Sequence, residues 1–441
     1  MTSDHTNDGP MPQGIVPKLL SLRTISAQPW FNQSATQRVM LALNPPGSDR
    51  ARFVGGCVRN ALLGRRVADI DIATQHTPDQ VMRIASEHGI AAVPTGLAHG
   101  TVSLIVDHVP FEVTTLRRDI ATDGRHAQVE FTEDWTLDAA RRDFYLNALY
   151  ADARGTVYDP TGQGIADLQA GLVRFIGDPA QRLAEDRLRA LRFFRFHAHY
   201  GRSNLDEAGL NACRSSVNKL GKLSAERVWK ELKGIFAAPD ARPCVQAMDE
   251  IGILAELAPE FSNLQRYARL TQVDLDHFFE PDALLRIAAC LSDAGSAQTF
   301  ADRLKLAMRE RERIVSALHW EPSSHQIYSF MSVKALRRAG YYLGQPRFLD
   351  QIRLRWAEQD DARTELQWRT LLSMAQNWQA PKLPLGGTQI IAAGVATGPR
   401  IGDILRHVEE WWVDMDFPDD DWALAERLKA VIAGLPDDHR G

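Results

Sequence analysis

The period of the hydrophobic pattern changes near residue 160, and this change limits the possible architecture more than any other feature of the 441-residue chain. Before it, apolar residues alternate in short runs. Arg52-Phe53-Val54, Ala68–Ala73, Thr101–Val106 and Phe111–Thr115 read as strands. Residues 36–43, 58–63 and 78–88 read as helices between them, and Asn44-Pro45-Pro46-Gly47 breaks the first. After Gly164 the spacing becomes helical over 179–200, 205–214, 224–237, 243–256, 281–292, 299–318, 330–341, 346–357, 361–377 and 421–434, with no strong strand among them. The expected fold is α+β: a head with a mixed sheet and helices, followed by a long all-α remainder.

The length suggests about three domains. We expect a flexible N-terminal extension over 1–28, a head over 29–152, a neck over 153–238, a helical body over 239–380 and a helical tail over 381–441. Hydrophobic residues make up 44% and charged residues 24%, as in globular proteins, and no run approaches a membrane-spanning length. We expect no membrane association, no signal peptide and no evident protein partner. Cys57, Cys213, Cys244 and Cys290 are far apart and form no C-x-x-C pair, which points to buried thiols in a reducing, cytoplasmic setting. The net charge is −5, but from Gly171 to Lys233 thirteen Lys/Arg face seven Asp/Glu. Such a basic middle attracts phosphate even in an acidic chain. From Ile401 to Gly441 eleven acidic residues outnumber four basic ones, so that end should face away from an RNA backbone.

Four constellations carry chemistry. In the first, Gly55 and Gly56 stand between a strand and a helix, where backbone N–H groups approach an anion closely. Arg59 adds a fork suited to phosphate. Asp69 and Asp71 project from one face of a strand, and two adjacent carboxylates call for a cation between them. A hard ion such as Mg²⁺ satisfies both while binding triphosphate oxygens. In the second, Arg141 and Arg142 suit phosphate, while Asp143 and Asn147 suit ribose hydroxyls. The third, Asp159-Pro160-Thr161-Gly162 through Asp167-Leu168, reads as a rigid turn held by its aspartates. In the fourth, Asp186 and Arg189 are i, i+3 neighbours on one expected helix, with Arg192 and Arg195 following at the same spacing. An Asp beside an Arg presents acceptors and donors together to a nucleobase edge.

In this order, the constellations resemble the class II tRNA nucleotidyltransferase and bacterial poly(A) polymerase family, most strongly over residues 36–235. The resemblance implies a polymerase-β-like head in which Gly55, Gly56, Arg59, Asp69 and Asp71 hold metal and triphosphate. Arg141, Arg142, Asp143 and Asn147 match its ribose-side motif, and Asp159–Leu168 its hinge. Asp186 and Arg189, with Arg192 and Arg195 nearby, match its amino-acid template for ATP or CTP. Leu223–Leu232 looks like its fifth, neck-steadying motif. Asn60 stands where the family usually has Asp, and Tyr145-Leu146 where Thr-Ile is commoner. Glu112, on the Phe111–Thr115 strand, is the candidate third catalytic carboxylate.

Asp119–Thr132, including Asp123–His126, resembles the flexible loop of CCA-adding members. Pro384–Gly387 with Gly394, Gly398-Pro399 and Gly402 resembles the tail that holds the tRNA elbow. No His-Asp dipeptide occurs, so no appended HD phosphohydrolase domain is expected. The expected activity is two-metal, template-independent addition of CCA to tRNA from CTP and ATP, by in-line attack of the RNA 3′-hydroxyl on the α-phosphate with release of pyrophosphate. The alternatives are a poly(A) polymerase, a C-only or A-only enzyme, or a catalytically silent RNA-binding protein.

Overall fold

The computed structural model describes residues 24–97, 100–122, 127–320, 327–359 and 361–434. Most of the expected N-terminal extension, and the loop tip Asp123–His126, lie outside the described residues. The chain forms two compact units, residues 1–259 with 278–283, and residues 260–277 with 284–441.

The first unit begins with α1 (Ser34–Leu43), β1 (Ala51–Val54), α2 (Gly56–Leu62), β2 (Ile70–Thr74) and α3 (Pro78–Glu87). β3 (Ala91–Gly96), β4 (Thr101–Val106), β5 (Val109–Thr115), β8 (Tyr150–Ala151) and β9 (Val157–Tyr158) complete a seven-stranded sheet in the order β3-β4-β5-β2-β1-β8-β9. β2 and β5 run parallel; the other pairs are antiparallel. The alternating pattern implied these strands and helices, and the family resemblance the mixed sheet that they form. Val102, Leu104, Phe111, Val113, Ile72 and Phe53 are fully buried, so the polar positions between them are left to the other face.

The strands β3, β8 and β9 were not expected. β3 is exposed over most of its length, and β8 and β9 are two residues each, so none carries a clear period-2 pattern. β6 (Arg117–Thr122) and β7 (Ala127–Phe131) form a separate antiparallel hairpin where we expected a loop.

Helices follow: α4 (Trp135–Ala140), α5 (Gly164–Ala170), α6 (Pro179–Glu185), α7 (Arg189–Tyr200), α8 (Glu207–Ser216), α9 (Ala225–Phe236), α10 (Arg242–Glu250) and α11 (Ile253–Leu257). The hinge behaves as its composition suggested. Asp159 accepts hydrogen bonds from Thr161 Oγ1, Gly162 N and Ile165 N, and Asp167 is paired with Arg174. Phe175, Phe193 and Phe196 pack around Phe144 with centroids 4.9, 6.4 and 5.3 Å away, which seats α7 against the Arg141–Asn147 segment.

The second unit is helical: α12 (Leu264–Asp276), α13 (Ala283–Cys290), α14 (Ala294–Arg303), α15 (Met308–Leu318), α16 (Val333–Leu343), α17 (Gln345–Glu358), α18 (Glu365–Asn377), α19 (Gly387–Ala392), α20 (Pro399–Asp414) and α21 (Asp421–Gly434). Asp274 is buried between Arg286 and Arg353. Three helices expected as continuous are broken across the two units: 179–200, 243–256 and 299–318. Gly252 turns the chain at φ +87° between α10 and α11, and Lys305 at φ +53° between α14 and α15. Helices α12, α19 and α20 were missed. Asn263 marks the start of α12, its side chain accepting from Arg266 N at 3.0 Å.

Candidate active site

Asp69 lies just before β2 and is exposed, whereas Asp71 lies within the strand and is partly buried. In the parallel register Asp71 stands opposite Glu112, an exposed residue of β5. Burial, then Glu112 and to a lesser degree Asp69, push the Asp71 carboxyl up to about 6 against the opposing charge of Arg142. A carboxylate so placed is short of positive charge, and the all-oxygen donor set suits a hard divalent cation. Among the described residues no three acidic, imidazole or thiol side chains converge closely enough to hold a metal. Glu112 therefore stands beside the aspartate pair and not within a three-ligand cluster.

The glycine turn sits at the end of β1. Gly55 has φ +71°, and a Cβ there would lie 3.6 Å from Asn147 O and 3.7 Å from Arg142 Nη1. These are ordinary contacts, so it is the backbone twist that calls for glycine here. Arg59, one turn into α2, is not a free fork. It is buried and donates to Asn60 Oδ1, Asn147 Oδ1 and the Tyr200 hydroxyl. Asn60, the departure from the family pattern, works as a neutral acceptor here.

The paired arginines are also anchored. Arg141 donates to Asp138 Oδ1 at 2.8 Å, and Arg142 donates to Asp138 Oδ2 and the Tyr150 hydroxyl, both at 3.1 Å. Burial alone would raise the Asp138 carboxyl, but Arg142, Arg141 and Tyr150 hold it at about 2, below its ordinary 3.8. A carboxyl depressed in the folded state stabilises the fold above its unfolded pKa and loses that effect as pH falls through its folded value. Asp138→Asn should therefore cost about 3 kcal/mol or more at neutral pH, because it leaves two partly buried guanidiniums without an anion. Wild-type stability should fall between pH 4 and pH 2 through this group. Acid titrations followed by circular dichroism would refute the assignment if the variant lost stability over that window as steeply as wild type.

Asp143 is bound at both carboxylate oxygens. Its Oδ1 accepts from Phe144 N at 2.9 Å and Asn147 Nδ2 at 3.1 Å, and its Oδ2 accepts from Arg192 Nε at 2.8 Å. Burial raises this carboxyl, but Arg192 and the other donors bring it below the ordinary range. Arg192 is thereby tied to the ribose-side segment.

The single helix expected over 179–200 is two. Asp186 is extended at φ −146° and ψ 109°, and α7 begins only at Arg189. Asp186 and Arg189 are therefore not helical neighbours. Asp186 accepts from Leu188 N at 3.0 Å and from Arg227 Nη2 at 2.7 Å. Arg189 pairs with Glu185 at 2.5 Å and donates to Arg141 O at 3.2 Å. The Asp side chain satisfies a backbone donor at the new helix start, which explains the break. Along α7 each three-residue step turns back by about 60°. Arg195 has consequently swung away: it pairs with Glu231 at 3.0 Å and does not line the cleft.

That cleft has a volume of about 470 Å³. It brings together Gly55, Gly56, Arg59 and Asp71 from the head with Arg141, Arg142, Asp143 and Asn147. Asp186, Arg189 and Arg192 line its other side. Asp69, Glu112 and Arg195 are not among its lining residues. Leu188, Phe196 and Arg227 are, and were not expected as site residues. Arg227 had a signal only in the neck segment that contains it; its pairing with Asp186 joins positions too distant for any spacing rule.

A mixed sheet that sets Asp71 beside a glycine turn, facing an arginine-rich helix start across one cleft, defines a nucleotidyltransferase. Residues 51–174 match the Poly A polymerase head domain, and residues 204–264 match the probable RNA and SrmB- binding site of polymerase A. The chain is 32% identical over 368 residues to CCA tRNA nucleotidyltransferase 1, mitochondrial, of Mus musculus, covering 82% of each protein. It is 30% identical over 383 residues to the CCA-adding enzyme of Streptococcus gordonii, covering 86% of this chain and 93% of that protein. Its fold matches the Bacillus stearothermophilus CCA-adding enzyme in complex with CTP at a TM-score of 0.69 and 23% identity, over 91% of this chain and 98% of that one. This chain belongs to the tRNA nucleotidyltransferase and poly(A) polymerase family.

Proposed function

We propose that this protein adds or repairs the 3′-terminal CCA of tRNA, using CTP and ATP without a nucleic-acid template. The observation that carries this reading is the single cleft onto which the Asp71 carboxylate, the Gly55–Gly56 turn and the Asp186/Arg189 pair all open. Relatives named CCA-adding enzymes, and similar folds solved with CTP, with ATP and with tRNA, support the same substrates.

Asp69 and Asp71, with Glu112 beside them, are the residues that would hold Mg²⁺, which when bound supplies positive charge to the triphosphate and the attacking 3′-oxygen. The chain's own groups position the reactants. The glycine turn and Arg59 receive the triphosphate. Arg142 offsets charge near Asp71. Asp143 and Asn147 face the ribose, and Asp186 and Arg189 offer an acceptor and donors to the base edge. The RNA 3′-hydroxyl displaces pyrophosphate from the α-phosphate in line. No covalent enzyme intermediate is required, because positioning and electrostatics supply the acceleration.

Within this reading residues 29–152 act as the head, 153–238 as the neck, 239–380 as the body, and 381–441 as a tail that holds the tRNA elbow. We place the protein in the cytoplasm. Its four cysteines are buried and free, which suits a reducing compartment. No described helix is long and apolar enough to cross a membrane.

Incubation with tRNA lacking its CCA end, plus CTP, ATP and Mg²⁺, tests the reading. The expected product carries three added nucleotides in the order C, C, A, and none forms when the metal is chelated. A long A tract or addition of one nucleotide type would move the protein to another branch of the family. Tight tRNA binding with no pyrophosphate released would overturn the enzymatic reading.

A further inference from the structure

Arg59 is a buried cation whose hydrogen-bond acceptors are neutral. It is 6% exposed, and its Nε and Nη2 donate to Asn60 Oδ1 at 3.1 and 2.9 Å. Nη2 also donates to the Tyr200 hydroxyl at 2.7 Å, and Nη1 donates to Asn147 Oδ1. These acceptors carry no charge. A buried guanidinium without an anion is costly, and it persists only if its donors are satisfied or an anion arrives. Here the residue after Arg59 is Asn60, so no adjacent carboxylate pairs with it directly; Asp143 acts on it only through space, its oxygens being taken by Arg192, Asn147 and the Phe144 N–H. Arg59 lines the cleft beside Gly55, Gly56 and Asp71.

Tyr200 holds this side chain by both its ring and its hydroxyl. It ends α7, the helix that begins with Arg189. The Arg59 guanidinium lies 4.0 Å from the Tyr200 ring centroid and 5.2 Å from that of Phe196, one turn earlier. The Tyr200 hydroxyl accepts from Arg59 and donates to Asn60 Oδ1 at 3.1 Å, closing a three-residue ring of hydrogen bonds. Arg65 braces the same ring, with its guanidinium 4.9 Å from the centroid and its Nη1 donating to His199 O at 2.8 Å. One helix thus carries a base-reading group at its start and the support of Arg59 at its end.

We propose that Tyr200 is a positioning residue for Arg59, and that through it α7 holds the guanidinium ready for the triphosphate of the incoming nucleotide. The inference rests on reading the cleft as a nucleoside triphosphate site. The triphosphate is common to CTP and ATP, so Tyr200 governs affinity for both nucleotides equally and has no part in choosing the base. This separates it from Asp186 and Arg189.

The test uses the full-length Tyr200→Phe protein, which keeps the ring and removes the hydroxyl. Its KM for CTP and for ATP should rise together by about tenfold, the usual effect of removing a hydrogen bond to a charged group. Its kcat should stay within about twofold of wild type, because the lost contact acts in the ground state and the transition state alike. Calorimetric titration with CTP, and with inorganic triphosphate as the base-free probe, should show the same loss. Tyr200→Leu, which also removes the ring, should raise KM further. Thermal melting establishes that each variant is folded; if Tyr200→Leu is not, Tyr200→Phe decides. Unchanged affinity for triphosphate in folded Tyr200→Phe, or a loss confined to one nucleotide, would overturn the proposal. A wild-type protein that binds triphosphate but incorporates no nucleotide would sink the proposed function and leave the Tyr200 comparison decisive in the binding titrations.

Discussion

Asp71→Asn should leave a folded protein that transfers nucleotides at least about a thousandfold more slowly, the scale expected when a charge that stabilises the transition state is removed. The substitution keeps the shape of the side chain and its place opposite Glu112. What it removes is one negative charge from a site where burial, Glu112 and Asp69 already push the carboxyl up to about 6. In metal-free protein that charge is held at a cost, so the variant should melt at or above the wild-type temperature. Divalent metal should raise the melting point of wild type and do so less for the variant. Asp69→Ala should also abolish transfer, with a smaller effect on melting, because Asp69 is exposed. A rate within tenfold of wild type for either variant, measured by pyrophosphate release at saturating CTP, would sink the metal-site assignment.

Arg189→Ala should narrow the discrimination between CTP and ATP by about tenfold to a hundredfold, since hydrogen-bonding groups set base choice and a missing partner is costly. Turnover with the correct nucleotide should fall less. Arg189 has two duties here: it is held by Glu185 at 2.5 Å and by Arg141 O at 3.2 Å, and it lines the cleft near Asp186. Glu185→Gln should therefore weaken base choice in the same direction by loosening Arg189, with a smaller effect. Competition between CTP and ATP on tRNA ending in one C is the direct measurement. Equal loss of both incorporation rates with discrimination intact would show that Arg189 serves the fold and not the base.

Asp71, the glycine turn and the Arg141–Asn147 segment were legible as local patterns with a chemical meaning, and they line the cleft; Asp69, read from the same spacing, does not. Spacing along one strand places Asp69 and Asp71 together, and a positive φ calls for glycine at position 55. The α7 arginines were harder to read. Their regular spacing suggested one long helix with the arginines winding slowly round it, yet Asp186 ends α6 and restarts the chain, and Arg195 turns to Glu231. The pattern held no clue that a side chain would compete with the backbone at that point. Arg59 looked like a free phosphate fork, and its embedding against Tyr200 and Asn147 joins residues from separate elements.

From composition, period and motif alone came the α+β head with its helical remainder and the candidate carboxylates, because strand alternation and residue chemistry are local properties of the chain. Tertiary structure decided which of those groups share a cleft: it brought Arg227 to Asp186, turned Arg195 away and stationed Tyr200 over Arg59. These pairings join side chains far apart along the chain, and their energies depend on distance in space and on burial, neither of which is written in residue order.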